Sequence, residues 1–188
     1  QQYQQLKKRA TLPALISVYD DTDARNIKYK NKTVRKSIEL IGGDEGVIKT
    51  QNTFIDYGRN ITQDDIHSNR KVCILGNDVV NRLFPFEDPL NKEIQIRGID
   101  YNIIGITEQK GEAFGQSQDN YIIIPISNYL QNFSNKWTSL NISIEAFSEK
   151  DYDKTMNEVI GLLRTIRKVP PGEENDFEII SNVEMIER

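Results

Sequence analysis

Few side chains in this 188-residue chain are of a type and spacing that could do chemistry. The one histidine, His67, sits in the polar segment Asp64–Lys71, without a second histidine or a cysteine beside it, so a zinc ligand set is missing there. Base catalysis would also need a partner to orient the imidazole. His67 therefore reads as exposed. The one cysteine, Cys73, lies inside the apolar run Val72–Leu75 and reads as a small buried hydrophobe. Asp20-Asp21-Thr22-Asp23 gathers acids without the spacing or glycine of a calcium loop, which predicts a solvated turn. Gly42-Gly43-Asp44-Glu45-Gly46 is acidic and lacks the Lys-Ser/Thr of a phosphate loop, which predicts a glycine turn. Neither a Gly-x-Ser-x-Gly elbow nor a dinucleotide glycine pattern occurs. Four Asn-x-Ser/Thr triplets begin at Asn31, Asn60, Asn132 and Asn141, but in a chain rich in asparagine they carry little weight. Acids are numerous enough that a hydrolytic pair could be drawn anywhere, and sequence favours none of them.

Arg59 is the polar residue with a specific expectation. It follows Gly58, precedes a capped turn, and has Asp64, Asp65 and Asp119 as possible carboxylate partners. A bidentate pair would make Arg59 and Asp119 the ends of a clamp that pins the long loop Gln109–Asn120 to the rest of the chain.

The elements that hold these residues follow from periodicity. Gln1–Arg9 is the tail of a helix stopped near Thr11 and Pro13. Ala14–Tyr19 is a strand, and Ile27–Lys30 with Thr33–Ile41 makes a hairpin around Asn31-Lys32. Val47–Phe54 holds a short helix or strand. Thr62 caps a helical turn with Asp64 and Asp65 at its positive end. Val72–Leu75 is a fully buried strand, and Asn77 caps a short helix that turns Val79, Val80 and Leu83 inward. Ile94–Ile96 and Tyr101–Thr107 pair through a turn at Gly98-Ile99-Asp100, and Tyr121–Ile124 is a buried strand ended by Pro125. Ser127 caps Asn128–Phe133, and Trp137–Phe147 alternates as a strand. Asp151–Arg167 is the clearest helix, with Tyr152, Met156, Val159, Leu163 and Ile166 on one stripe, and Asp176–Ser181 is a last strand.

Bulk properties narrow the classes. There are 24 basic and 28 acidic residues, a net charge of −4, and the charges are interspersed, which argues against nucleic acid. A hydrophobic fraction of 37% and a mean hydropathy of −0.57 predict a modest core. A single cysteine fits the cytosol without excluding an exported domain that has a sufficient core. No apolar run reaches the roughly 18 residues of a membrane span. Gln1–Arg9 and the capping box Ser181-Asn182-Val183-Glu184 suggest helices cut at both ends, as in an excised piece of a longer protein.

Between Gly58 and Pro125 the order of motifs is specific. Gly58-Arg59…Thr62…Asp65, Val72-Cys73-Ile74-Leu75-Gly76, Leu83-Phe84…Asp88-Pro89-Leu90…Lys92…Ile94…Ile96, Tyr101-Asn102-Ile103-Ile104-Gly105-Ile106 and Gly115-Gln116-Ser117-Gln118-Asp119 together resemble the MacB-type periplasmic core domain. That domain belongs to ATP-binding cassette (ABC) permeases of the MacB, FtsX and LolC/LolE kind. The motif cysteine, and Asn91-Lys92 where glycine-lysine is usual, depart from the pattern.

The resemblance implies an α+β, two-lobed extracytoplasmic domain. Residues 1–60 and 133–188 would form a porter-like α/β frame, and residues 61–132 an inserted, mainly β, sabre-like lobe. Such a domain lies between two transmembrane helices of a dimeric permease, on the periplasmic side of the bacterial inner membrane, with the fragment alone a monomer. It is no enzyme and takes no cofactor, since ATP is hydrolysed on a nucleotide-binding domain elsewhere. It would relay ATP-driven helix movement to export or extraction of a drug, peptide or lipoprotein by mechanotransmission. Its partners would be the transmembrane and nucleotide-binding domains, with a periplasmic adaptor (membrane fusion) protein or a hydrolase, and no nucleic acid. The expected partner contacts are Phe86, Glu87 and Asp88 in one turn, and Lys110, Glu112, Phe114 and Gln116 in the long loop. An FtsX-like regulator of a cell-wall hydrolase and a ligand-binding sensor are the alternatives.

Overall fold

The computed structural model describes residues 2–135 and 139–181. In chain order, α1 (Gln2–Arg9) precedes β1 (Pro13–Ala24), the hairpin of β2 (Ile27–Tyr29) and β3 (Lys32–Val34), and β4 (Ile38–Gly43). Next come α2 (Val47–Thr50), β5 (Ile55–Gly58), α3 (Gln63–His67), β6 (Val72–Leu75) and α4 (Asn77–Leu83). Two hairpins follow, β7 (Glu93–Ile96) with β8 (Ile99–Thr107), and β9 (Glu112–Ala113) with β10 (Gln116–Ser117). The chain continues as β11 (Tyr121–Pro125), α5 (Ile126–Asn132), β12 (Asn141–Ala146), a 3-10 turn at Glu149–Asp151, and α6 (Tyr152–Arg167).

Two compact units result, Gln1–Ala14 with Ile144–Arg188, and Leu15–Ser143.

The larger sheet runs in the order β12-β1-β4-β11-β6-β8-β7-β2-β3, with β5 added against the second half of β8. β4 with β11 and β6 with β8 are parallel, while β1–β4, β6–β11, β7–β8 and β2–β7 are antiparallel. The middle of this order explains its composition. All of Val72–Leu75 and Tyr121–Pro125 is buried, as suits strands covered on both faces, and each large apolar side chain there contributes about 2 kcal/mol. Among the buried polar groups, the Tyr101 hydroxyl donates to Asn128 Oδ1 at 2.6 Å, and Asn128 Nδ2 donates to the Asn69 carbonyl at 3.0 Å.

Several local expectations change. Asp20–Asp23 is no turn but part of β1, paired with β4 from Tyr19↔Gly43 to Ala24↔Ile38. Asp21 and Asp23 lie on the exposed face of β1, and strand pairing overrides turn preference. Burial first, then neighbouring aspartates, raises the Asp21 and Glu39 carboxyls on that sheet above their usual range. The hairpin at Asn31 has shorter arms than expected, because β3 stops at Val34 and β4 is a separate strand. The β7–β8 turn is Arg97-Gly98, with Ile96 opposite Ile99, one residue earlier than expected. Asn77 does not cap α4, since Gly76 holds that position and Asn77 Nδ2 donates to the Thr107 carbonyl at 2.6 Å. Likewise Pro125, not Ser127, precedes α5, which carries no side-chain cap.

In the unit of Gln1–Ala14 with Ile144–Arg188, α1 packs on α6. Glu158 of α6 accepts from the Thr11 amide at 3.0 Å, the Thr11 hydroxyl at 2.6 Å and the Leu12 amide at 2.9 Å, so the segment leaving α1 is tied to that helix. Of the expected stripe Val159 is buried and the others are half-buried, with Thr155 buried beside them. Asp176–Ser181 forms no strand. Arg167 Nε holds Asp176 Oδ1 at 2.7 Å, Tyr152 donates to Ser181 Oγ at 2.6 Å, and Ile180 is left 74% exposed rather than paired in a sheet. Trp137 and the Asn182–Glu184 part of the expected cap lie outside the described residues. No helix among the described residues is long and apolar enough to cross a membrane.

Candidate partner-contact site

Both expected contact loops belong to the unit Leu15–Ser143. The first leaves α4. Phe84 is buried, its ring 4.2 Å from that of Tyr29, and Phe86 two residues on is 97% exposed. Pro85 between them cannot continue the helix, so the chain turns and the second ring faces outward. Glu87 is not a free charge. Its Oε2 accepts from Lys92 Nζ at 2.8 Å, Tyr29 Oη at 3.2 Å and Lys30 Nζ at 3.5 Å. The Lys92 hydrogen bond is the main cause that holds its carboxyl below the usual range. Asp88 closes the turn on itself by accepting from the Leu90 amide at 2.9 Å. Asn91 then takes φ 60°, the conformation a glycine would adopt, so the departure from glycine-lysine leaves this turn intact.

The second loop, expected to be irregular, contains the β9–β10 hairpin. Its root is fastened by Asp119, a buried carboxylate that accepts from the Lys110 amide at 2.9 Å and the Gly111 amide at 2.7 Å. The Gln118 amide donates to the Gly111 carbonyl at 2.9 Å, and Lys110 Nζ reaches back to the Gln51 carbonyl at 2.6 Å. Glu112 and Gln116 flank the tip on opposite strands and are exposed, and Phe114 at the tip is fully so.

Arg59 and Asp119 do not meet. Arg59 spends its fork on Asp65, at 2.7 Å from Nη1 and 3.1 Å from Nη2, and Asp119 spends its oxygens on backbone amides. A close backbone crossing fixes the arginine. Gly58 has φ 81°, and a Cβ there would lie 2.2 Å from the Ile104 carbonyl oxygen, to which the Arg59 amide donates at 2.9 Å. Asp65 in turn completes a capping box with Thr62. Burial alone would raise this carboxyl, but hydrogen bonds from Arg59 and Thr62 outweigh it and bring the pKa down to about 2. Two independent clamps therefore replace the single one expected, one for α3 and one for the hairpin.

His67 is exposed at the end of α3, and Cys73 is buried with its thiol pushed up by that burial. Sequence reading missed the exposure of Phe54 and Tyr57 at 68% and 61%, and the cluster of Tyr29, Lys30, Glu87 and Lys92. An aromatic residue beside polar neighbours could have flagged the first. The second joins segments more than fifty residues apart and left no local signal.

A family model described as MacB-like periplasmic core domain matches residues 1–162. A macrolide export ATP-binding/permease protein MacB of Chlorobaculum tepidum is 28% identical over 160 residues, covering 85% of this chain and 24% of that protein. One of the same description from Azoarcus sp. is 24% identical over 180 residues, 95% of this chain and 26% of that protein. The chain thus spans about a quarter of the length of these curated relatives. Among solved structures, the periplasmic region of MacB from Actinobacillus actinomycetemcomitans superposes with TM-score 0.71 at 16% identity, covering 88% of this chain and 73% of that one. The extracellular domain of the noncanonic ABC-type transporter YknZ from Gram-positive bacteria gives TM-score 0.72 at 18% identity, with coverages of 90% and 83%. At these identities the superpositions speak to the fold.

Proposed function

We propose that this chain, which belongs to the MacB-like periplasmic core domain family, is the relay domain of an ABC transporter permease on the extracytoplasmic face of the inner membrane. ATP hydrolysis takes place on a nucleotide-binding domain outside these residues. The resulting movement of transmembrane helices is conveyed through the frame, residues 1–60 and 133–188, to the inserted lobe, residues 61–132, and from there to an adaptor protein and cargo. Cargo of the drug, peptide or lipoprotein class would be exported without passing through this domain. In the full permease the domain acts within a homodimer.

The observation that carries this reading is the pair of aromatic tips. Phe86 and Phe114 are both fully exposed, on turns whose roots are fastened by Glu87 with Lys92 and by Asp119 with two amides. Outward rings on stiff supports suit contact with another protein, and a lever must be stiff to convey displacement.

Phe86→Asn combined with Phe114→Asn in the complete transporter tests the relay, because it removes both rings and leaves the sheet intact. ATP hydrolysis should persist while export falls. Export at the wild-type rate without the two rings would overturn the relay. Activation of a purified cell-wall hydrolase by the intact domain would replace it with a regulatory role.

A further inference from the structure

Among the described residues, eight that are not glycine hold positive φ. Four are Asn26, Asn52, Asn69 and Asn91, whose short side chains tolerate this region. Lys168 ends α6 in the left-handed conformation. Lys30 and Arg97 stand in two-residue hairpin turns, and both side chains have contacts. Lys30 Nζ lies 5.0 Å from the centre of the Tyr29 ring, while Arg97 donates to the Asp23 carbonyl at 3.0 Å and covers the Phe133 ring. Phe114 is the remaining case. Its φ is 51°, Gly115 follows at 77°, and the ring is 107% exposed.

A two-residue turn with positive φ at both positions favours Asn-Gly, and a bulky first residue there is disfavoured by contact between its Cβ and the backbone. Unlike Arg97, which has the Asp23 carbonyl and the Phe133 ring as partners, Phe114 gains no contact in exchange. The root of the same hairpin is over-determined by the Asp119 carboxylate and by Lys110 on Gln51. A strained, exposed ring on a fixed support is the arrangement expected where the side chain has a use outside the domain.

We infer that Phe114 is a preformed anchor that enters an apolar pocket on a protein partner of the transporter, an inference that rests on the relay reading above. Aromatic anchors concentrate interface energy, and presenting one from a rigid turn lowers the ordering cost of binding. The exposed charge near the tip is the acid Glu112, whereas the Lys110 ammonium is engaged at 2.6 Å by the Gln51 carbonyl. That balance suits a pocket rimmed by basic or uncharged groups. It does not suit an anionic bilayer surface, which is recognised through clustered cations.

The test is Phe114→Asn, which removes the ring and leaves the best sequence for this turn. Wild type and variant of the 188-residue chain are compared by thermal unfolding and by calorimetric titration with the transporter's purified adaptor protein. The variant should unfold at the wild-type temperature or about 2 °C above it. Its Kd should rise by about 30-fold or more. Phe86→Asn serves as the matched loss of an exposed ring and should change Kd less. An unchanged Kd for Phe114→Asn overturns the anchor and leaves the relay standing. A lower unfolding temperature gives the ring a structural role and overturns it as well. Should wild type ignore the adaptor but bind phosphatidylglycerol vesicles through this ring, the occupant is a membrane and the inference fails. Binding to neither removes the partner contact and the anchor together.

Discussion

Arg59 grips Asp65 through two guanidinium nitrogens, at 2.7 and 3.1 Å, around a carboxylate with no exposed surface. The same carboxylate accepts from the Thr62 amide at 3.0 Å and the Thr62 hydroxyl at 2.9 Å, so one buried acid both caps α3 and receives the arginine. Arg70 stands further off, at 3.6 Å.

Arg59→Ala should cost about 2 kcal/mol, because it strands a buried charge that Thr62 and Arg70 only partly satisfy. Urea unfolding measures this. Arg59→Lys should recover only part of it, since an ammonium cannot reproduce the two parallel hydrogen bonds.

The depressed Asp65 pKa makes stability depend on acid. Its contribution, about 2 kcal/mol, is fully present above the unfolded value near 3.9 and is lost as the pH falls through the folded value of about 2. Denaturant unfolding of wild type and Asp65→Asn should therefore differ at neutral pH and converge at about pH 2. A gap that stays constant with pH would contradict the assignment.

The two clamps are separable by amide exchange. Asp119→Ala should deprotect the Lys110 and Gly111 amides and loosen the hairpin, at a cost of about 1–3 kcal/mol. Arg59→Ala should leave those amides as protected as in wild type, since Arg59 bonds to Asp65 and to the Asn60 carbonyl instead.

Gly58 and Gly98 share φ 81° but not surroundings. A Cβ on Gly58 would meet the Ile104 carbonyl at 2.2 Å, and one on Gly98 would meet nothing within 4 Å. Gly98→Ala should cost about 1–2 kcal/mol, the left-handed penalty alone. Gly58→Ala should cost more, because backbone must also shift, and a smaller loss than for Gly98→Ala would refute the crossing.

The legible parts of the fold were those whose signal is local. Val72–Leu75 and Tyr121–Ile124 read as buried strands from unbroken apolar runs, and the stripe from Tyr152 to Ile166 gave α6 to within one residue. Thr62 with Asp65 was legible as a helix start, though not the capping box itself. Non-local pairing hid the rest. Asp20–Asp23 reads as a turn until β4 lies alongside, and Asp176–Ser181 reads as a strand although Arg167 holds Asp176 instead. At the candidate site, sequence offered Arg59 several carboxylates, and the backbone crossing at Gly58 decided among them. Phe86 and Phe114 belonged to the turn and loop expected to make contacts, but only the fold shows that Phe114 holds positive φ.

Cys73 is wholly buried in β6, and burial disfavours its thiolate, so it is a poor target for alkylating reagents while the domain is folded. A thiol introduced at the hairpin tip by Phe114→Cys, or at Phe86→Cys, would then be the sole site open to a maleimide. Within these 188 residues the native sequence thus already serves as a silent background for fluorophores or spin labels placed at either tip.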